Sequence, residues 1–558
     1  MWVLYSERPL QAEELCHALG VKIGSADWDP ENVPAIRTLL ASCLGLLTVE
    51  ASSSIVRLVH YTLQEHLSSD PTLSDSPHSA IAEVCLTYLN FGSVRDLSPT
   101  LDLTHSTMPL LDYASHCWGE HARRGMTENV RRLALRLLER FDQHIASQPL
   151  LSYSDDWDPI WASYFSKDGR PTGFTGLHGV AHFGLVEVIT SVLEMKEWDF
   201  GTTDNMGRTA FIWAVKRGQE EVVKGLLEIE DVNPDQPDAK LGRTPLSWAA
   251  EMGDEGIVKI LLERKDVNPN QKDTWDGRTP LSWAAESGNE GVIKILLERK
   301  DVNPNQKDTV DGWAPLMWAA QRGHEGIVKI LLEREDVNPD QKSTNGSTPL
   351  SWAAGGGHEG IVMMLLEREG VNPNGQATKL GQTPLSLAAG SGDEKIVKML
   401  LEREDVNPDQ PDAGGGSTPL SWAAGCGHEG IVKMLLERKD VNPDQKDTED
   451  GRTPLLWAAE SGNTGIMKIL LERKDVNPNQ KDTESCWTPL SWAAGSGNEG
   501  IVKMLLARKD FDPNQILTRD GQTALSWAAE RGHEGIVKML LARKDFDPNQ
   551  APTRDGQT

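Results

Sequence analysis

The sequence predicts a mainly α protein in which a helical solenoid over residues 168–558 follows a smaller, mixed region. Three observations carry this. The stretch 244–268, TPLSWAAEMGDEGIVKILLERKDVN, recurs: its opening Thr reappears at Thr279, Thr348, Thr383, Thr418, Thr453, Thr488 and Thr523, with Ala314 standing in once. The spacing is 35 residues except for one step of 34, and looser copies open at Thr209 and Thr175. That makes eleven units, with a twelfth begun at Thr558. A fixed period of this size marks stacked supersecondary units. Within each unit the apolar residues fall at helical spacing.

The unit can be built residue by residue. Thr244-Pro245 starts a helix, with a hydroxyl at the N-cap and a proline where a missing N–H is harmless. Leu246, Trp248, Ala249 and Ala250 give a short helix with a small-residue face, ended by Gly253. Asp254 caps a second helix from Glu255 to about Lys265, with Ile257, Val258, Ile260, Leu261 and Leu262 on its apolar side. Pro269 stops it, and a polar arm runs to the tight-turn pair Asp276-Gly277. Neither helix is long enough to persist alone in water. Each pair must therefore bury its apolar faces on its neighbours.

These residues resemble the ankyrin repeat: a turn, TPLHxAA, a short helix, Gly-His, and a second helix running into ADVN. The resemblance covers residues 168–558 and departs from the family in two ways. The period is 35 rather than the usual 33. The signature His occurs in the first unit alone, as His178; its place later holds Ser247, Ser282, Met317, Ser351 or Leu456. That departure predicts a looser tie between turn and helix without a change of fold.

Residues 1–75 read as a separate winged-helix-like unit. Leu10 to Leu19 is an amphipathic helix with Leu10, Leu15, Ala18 and Leu19 on one side, and 33–43 a second helix. Residues 45–49 and 55–59 form a hairpin around a Ser-rich turn, and 62–67 a closing helix. This outline is similar to the winged helix of fungal NACHT–ankyrin signalling proteins, through Arg8-Pro9-Leu10, Glu14-Leu15-Cys16-His17-Ala18-Leu19 and residues 56–65. Residues 109–115 with Trp118-Gly119 and His121 look like that family's next helical segment. Residues 76–145 are helical, clearest at 80–89 and 129–145. Arg123, Arg124, Arg131, Arg132, Arg136 and Arg140 are read as the solvated side of a helix whose Leu133, Leu137 and Leu138 face inward. Residues 146–167 are a linker or cap, in which Trp157 and Trp161 are expected to cover the first repeat's edge.

Composition narrows the function. Formal net charge is −27, and both the first 167 residues and the rest are acidic, which opposes nucleic-acid binding through a basic patch. Six scattered cysteines without a CxxC pair fit a reducing compartment, and argue against a disulfide framework or structural zinc site. No basic signal sequence opens the chain, and no uncharged apolar run suffices to cross a membrane. A cytoplasmic protein is expected. No GxxxxGK[ST] phosphate loop occurs, so the motor of the resembled family is missing, and the chain reads as the rear portion of a longer switch protein.

No catalytic, cofactor or metal residue stands out, and the chain is read as non-enzymatic. His60 sits where related switch ATPases contact nucleotide, and is taken as an ordinary strand-end histidine. Gly355-x-Gly357-x-x-Gly360 and its copies at 425–430 and 495–500 match a dinucleotide fingerprint but follow a helix, so they are helix–turn–helix corners. His324, His358, His428 and His533 are expected to cap second helices, as Asn289 and Asn498 do. Tryptophan recurs four residues after each opening position from Trp213 to Trp527, broken by Leu387, and is read as inter-repeat core.

What varies is more telling. The second helix is nearly constant, GIVKxLLERKDVNP, while the turn positions and the pair after Ala-Ala change freely. The resemblance implies that these line the concave face, which grips protein partners in that family. The candidate protein-binding residues are Glu251, Met252, Trp275, Trp313, Gln321, Arg322, Lys379, Glu449, Trp487, Glu530 and Arg531. Drift at exposed positions is the alternative reading. The expected partner is a protein, with no nucleic acid, membrane or small-molecule substrate.

Overall fold

The computed structural model describes residues 1–68, 76–97, 108–147, 173–195, 198–377, 381–514 and 522–548. Lys379, Trp157, Trp161 and Thr558, each named above, lie outside them. The fold is mainly helical, as expected, and divides into two units, Met1–Trp275 and Asp276–Thr558.

The first unit opens with α1 (Trp2–Tyr5), α2 (Ala12–Gly20) and α3 (Ile36–Ser42). A hairpin follows, β1 (Leu47–Val49) paired antiparallel with β2 (Val56–Leu58), then α4 (Tyr61–Ser68). Helix α2 begins later than its apolar pattern suggests. Gln11 is its N-cap in a capping box with Glu14, and Leu10 stays extended, its carbonyl accepting the Val56 N–H at 2.9 Å. Leu10, Leu15 and Ala18 are buried as the pattern requires, whereas Leu19 is 49% exposed and Cys16 takes its place inside. The second helix is shorter than residues 33–43 because Val33, held extended ahead of Pro34, cannot join it.

Helices α5 (Pro77–Leu89), α6 (Gly92–Arg95), α7 (Leu110–Arg124) and α8 (Glu128–Leu138) follow. Packing of α5 on α7 makes the local core, with Ile81, Cys85, Leu86, Leu110, Leu111 and Ala114 fully buried. Arg8 pins α2 to α7, reaching Glu14 at 2.6 Å and Asp112 at 2.7 Å. The helix expected over 129–145 ends at Leu138 and breaks into two 3-10 turns, Phe141–Gln143 and Ile145–Ser147. Those turns aim Phe141 at the first repeat. Trp118 meets Phe183 at 4.9 Å between centroids, and Phe141 meets Phe174 at 6.1 Å. The approach is close enough that a Cβ at Gly119 would lie 2.1 Å from the Phe183 ring. Thus α7, α8 and the 3-10 turns cover the first repeat's apolar face.

In each repeat the local chemistry matches the sequence. Thr244 Oγ1 accepts the Ser247 N–H at 3.2 Å, Gly253 ends the helix Pro245–Met252 at φ 78°, and Asp254 caps Glu255–Leu262 by accepting the Ile257 N–H at 3.0 Å. His178 makes two ties: Nδ1 accepts the Thr175 N–H at 3.0 Å and Nε2 donates to the Arg208 carbonyl of the next repeat at 3.0 Å. Serine keeps the first tie at Ser351, Ser491 and Ser526, where Oγ accepts the Thr N–H at 2.7–2.9 Å, and elsewhere, as at Ser247, touches the Thr hydroxyl instead; it is too short for the second tie.

The constancy of the second helix has a direct cause. The arginine of its ERKD segment donates to a carbonyl at the end of the preceding repeat's second helix, as Arg334 does to Leu297 at 3.0 Å and Arg438 to Leu401 at 3.1 Å. The same guanidinium pairs with the Asp two residues on, Arg334 with Asp336 at 2.7 Å. The turns are laddered too: Thr309 N–H donates to the Asp276 carbonyl at 2.8 Å and Thr344 N–H to Asp311 at 2.8 Å.

Burial pushes three histidines around the first repeat far below their ordinary value of 6.5: His121 to about 3, His144 to about 4 and His182 to about 3. For His182 the cause is burial first and the nearby Arg217 charge second. Each is neutral in the fold and takes up a proton on unfolding once the pH drops below about 6.5. Their stabilising effect is therefore complete above that value and lost as pH falls toward 4 and then 3. Hydrogen exchange should show protection in Leu110–Arg124 and Gly176–Phe183 declining steadily between about pH 6.5 and 4. Unchanged protection across that window would contradict the assignment.

Candidate functional site

The face carrying the turns and first-helix ends is built on a recurring slot. The residue just before a repeat's opening position lies between the tryptophan of its own repeat and that of the next. The Arg278 guanidinium sits 4.6 Å from the Trp283 ring and 3.8 Å from Trp318, and Arg452 sits 4.9 Å from Trp457 and 5.2 Å from Trp492. Cation–π attraction of this kind strengthens as water is excluded. Each such arginine is also held by the glutamate eight residues on: Arg243 by Glu251 at 2.7 Å, Arg278 by Glu286, and Arg452 by Glu460 at 2.9 Å.

Two slots hold tryptophan instead. The Trp313 ring lies 4.5 Å from Trp318 and 4.7 Å from Trp352, and Trp487 lies 4.3 Å from Trp492 and 5.0 Å from Trp527. There the position eight residues on is uncharged, Gln321 or Gly495. Arg208 differs: eight residues on stands Lys216, and the guanidinium, 4.4 Å from the Trp213 ring, pairs with the turn aspartate Asp204 at 2.9 Å. Each arginine slot thus comes with a carboxylate, and the two indole slots have none eight residues on.

Four tryptophans of the row are held from below by turn aspartates, whereas the buried indole N–H groups of Trp318, Trp352, Trp492 and Trp527 have no hydrogen-bond partner. Trp213 Nε1 donates to Asp204 at 2.9 Å, Trp248 to Asp238 at 3.2 Å, and Trp422 and Trp457 to Asp412 and Asp447 at 3.1 Å each. The turn residue matching Leu387 is Ala377, which has no carboxylate, but Ser343 has none either and its repeat keeps Trp352. The row is only partly core. Trp213, Trp248 and Trp318 are buried, but Trp283, Trp352, Trp422, Trp457, Trp492 and Trp527 are half-buried, each with part of its surface uncovered.

The candidate residues divide. Met252, Trp275, Arg322, Glu449, Glu530 and Arg531 are exposed, and Glu251 and Gln321 half-buried. Trp313 and Trp487 do not project from turn tips; they are the slot occupants described above. Arg322 crosses to the neighbouring repeat and meets Glu286 at 2.6 Å. Sequence reasoning names Gly425 as a variable position but misses Ser417 and the turn aspartates. A signal for the slot exists: aligned unit by unit, three of the four arginines before the opening position have Glu eight positions later, and Trp, Ser or Gln there mostly has Gly or Gln.

The histidines expected to cap second helices make no side-chain cap bond. They reach back instead, His324 Nε2 donating to the Glu286 carbonyl at 2.9 Å and His428 Nε2 to Gly390 at 3.1 Å. Asn463 does the same, donating to Ala424 at 2.9 Å. The Gly-x-Gly-x-x-Gly segments are the corners between paired helices, Gly357 and Gly427 standing at φ 75° and 92°. His60 is exposed and accepts the Thr62 N–H at 3.3 Å. In α7, Arg123 pairs with Glu120 and Arg124 with Glu7, both at 2.6 Å. Glu7, His78 and His121 bring three ligand-type atoms within 4.8 Å of one another. Arg124 already neutralises Glu7, and the two imidazoles are hydrogen-bonded at 2.8 Å, so the cluster works as a clamp between α1's end and α7.

These differences in burial predict different costs. Trp248→Ala removes a fully enclosed ring and should cost about 3–5 kcal/mol. Trp422→Ala, beside an open cleft, should cost clearly less. Chemical denaturation of the two variants checks this, and equal losses would contradict it.

Family profiles for ankyrin repeats (3 copies) match residues 177–273, 266–343, 316–412, 404–482 and 475–551. Residues 1–81 match the profile described as GPI inositol-deacylase, winged helix domain. No curated protein matches the chain. With most of its length matched repeat after repeat, the chain belongs to the ankyrin-repeat family.

Proposed function

We propose that the chain is a non-enzymatic scaffold that holds a protein partner on the turn and first-helix side of its repeats. The observation that carries this is a division of labour. Second-helix residues are constant because they bond repeat to repeat, whereas the first-helix ends and slots vary among Arg, Trp, Ser and Gln without altering the backbone plan. A rigid frame with a changeable surface is what selective protein binding requires. The charge of −27 disfavours nucleic acid and anionic membrane, and no helix among the described residues is long and apolar enough to cross a bilayer.

The winged-helix match beside an ankyrin array supports a finer reading: the cytoplasmic sensor or adaptor portion of a fungal NACHT–ankyrin-like signalling protein. In that reading 1–75 is the winged helix, 76–145 the helical segment, 146–167 the linker and 168–558 the array. A second reading, a fragment of a nucleotide-dependent switch ATPase whose NACHT domain precedes Met1, draws on the same match. Transcript sequence across the 5′ end separates the two.

The scaffold reading is tested by replacing Met252, Arg322, Glu449 and Glu530 together with alanine. Each exposed change should leave stability within about 0.5 kcal/mol. Affinity capture from cells of the source organism should lose its enriched partner. Unaltered capture by a folded variant would contradict the placement of the binding face.

A further inference from the structure

One slot is empty. Between Trp422 and Trp457, where Arg278 and Arg452 stand in their repeats, the chain has Ser417, and eight residues on, in place of glutamate, Gly425. What remains is a cleft of about 220 Å³ walled by the two indoles and bordered by Ser417, Gly425, Cys426 and Ser461. The walls are fixed, since both indole N–H groups are bonded to turn aspartates. The floor is open because Gly425 adds no side chain; a Cβ there would make ordinary contact with Trp457 at 3.7 Å. Other slots with a small or amide residue are flanked on one side by Leu387 or stand at the last repeat, so among the described residues this is the one place where two tryptophans face an unfilled gap.

The chain's own occupants say what fits. Guanidinium-filled slots each provide a carboxylate, a glutamate at 243, 278 and 452 and the turn Asp204 at 208, whereas the slot at 487, paired with Gly495, is filled by an indole. The 417 slot, paired with Gly425, is of the second kind. We propose that the cleft between Trp422 and Trp457 takes an aromatic side chain, tryptophan foremost, presented by a segment of the partner protein. This rests on the scaffold reading above and specifies its anchor. The volume is below the roughly 300–1,000 Å³ of small-molecule sites and suits a single side chain. Tilted and edge-on packing of three rings, as at Trp313 and Trp487, is favoured by the ring quadrupoles, and a buried aromatic anchor is the usual centre of a protein interface.

Cys426, exposed at the rim, provides a tether. The full chain is equilibrated with disulfide-linked indolylethyl, guanidinoethyl and butyl fragments at rising 2-mercaptoethanol. Occupancy is then read by mass on the peptide containing Cys426. The indole fragment should need about tenfold more reductant for half-displacement than the other two. Ser417→Trp, which copies the Trp487 and Gly495 pair and so fits the fold, should erase that preference while Cys426 still reacts, and should weaken capture of the partner about tenfold. A guanidinium fragment ranking first, or an indole preference that survives Ser417→Trp, would overturn the slot assignment. Failure of the slot is distinguishable from failure of the scaffold reading. Partner capture untouched by Ser417→Trp but lost in the Met252, Arg322, Glu449 and Glu530 variant removes the slot alone.

Discussion

The carbonyls at the ends of short helices constrain everything else in the array. A short helix such as Glu255–Leu262 leaves its last four C=O groups without intrahelical partners, and two such helices per repeat double the deficit. The repeats resolve it by borrowing from the next repeat: arginine for the end of the second helix, histidine or asparagine for the end of the first. These bonds cannot form within one unit, so the fold exists only as an array. They also explain which positions recur along the chain, because each has a partner 37 to 39 residues away.

With the frame held from the second helices and turns, the first-helix side is left to vary. It does so as a small code. Tryptophans set the walls, some anchored by a turn aspartate, and the slot between them is filled by arginine with a glutamate or turn aspartate, by tryptophan with glycine or glutamine, or is left open. The fillings differ in chemistry but not in backbone, since Trp487 and Arg452 both occupy the same place between successive indoles. Stability and recognition therefore draw on the same tryptophans, with the buried ones such as Trp248 weighted toward packing and the half-buried ones toward the surface.

Much of this is legible in the sequence. The helix starts at Thr-Pro, the ends at Gly253 and its copies, and the caps at Asp254 follow from local bonding that a short window contains. What is not legible depends on distant residues. Leu19 fits a helical stripe but faces water: the helix starts only at Ala12, after Leu10 has bonded to the hairpin, and Cys16 is the residue buried. His324 stands at an N-cap position, yet its better partner is a carbonyl 38 residues back. Trp118 and Phe141 cover the first repeat through a helix break after Leu138 that the periodicity of 129–145 does not announce; Trp157 and Trp161, expected in that role, lie outside the described residues. The slot is hidden in the sequence because its meaning lies in pairs of positions, 417 with 425 and 452 with 460, rather than in either residue alone.

The central claim is that the changeable first-helix side, and not the constant second helices, meets the partner. Hydrogen exchange of the full chain, alone and with its captured partner, measures this directly. The account predicts new protection in Pro419–Cys426 and Pro454–Glu460, with Glu429–Glu437 unchanged. Protection gained in the second helix, with the first-helix ends unaffected, would contradict it.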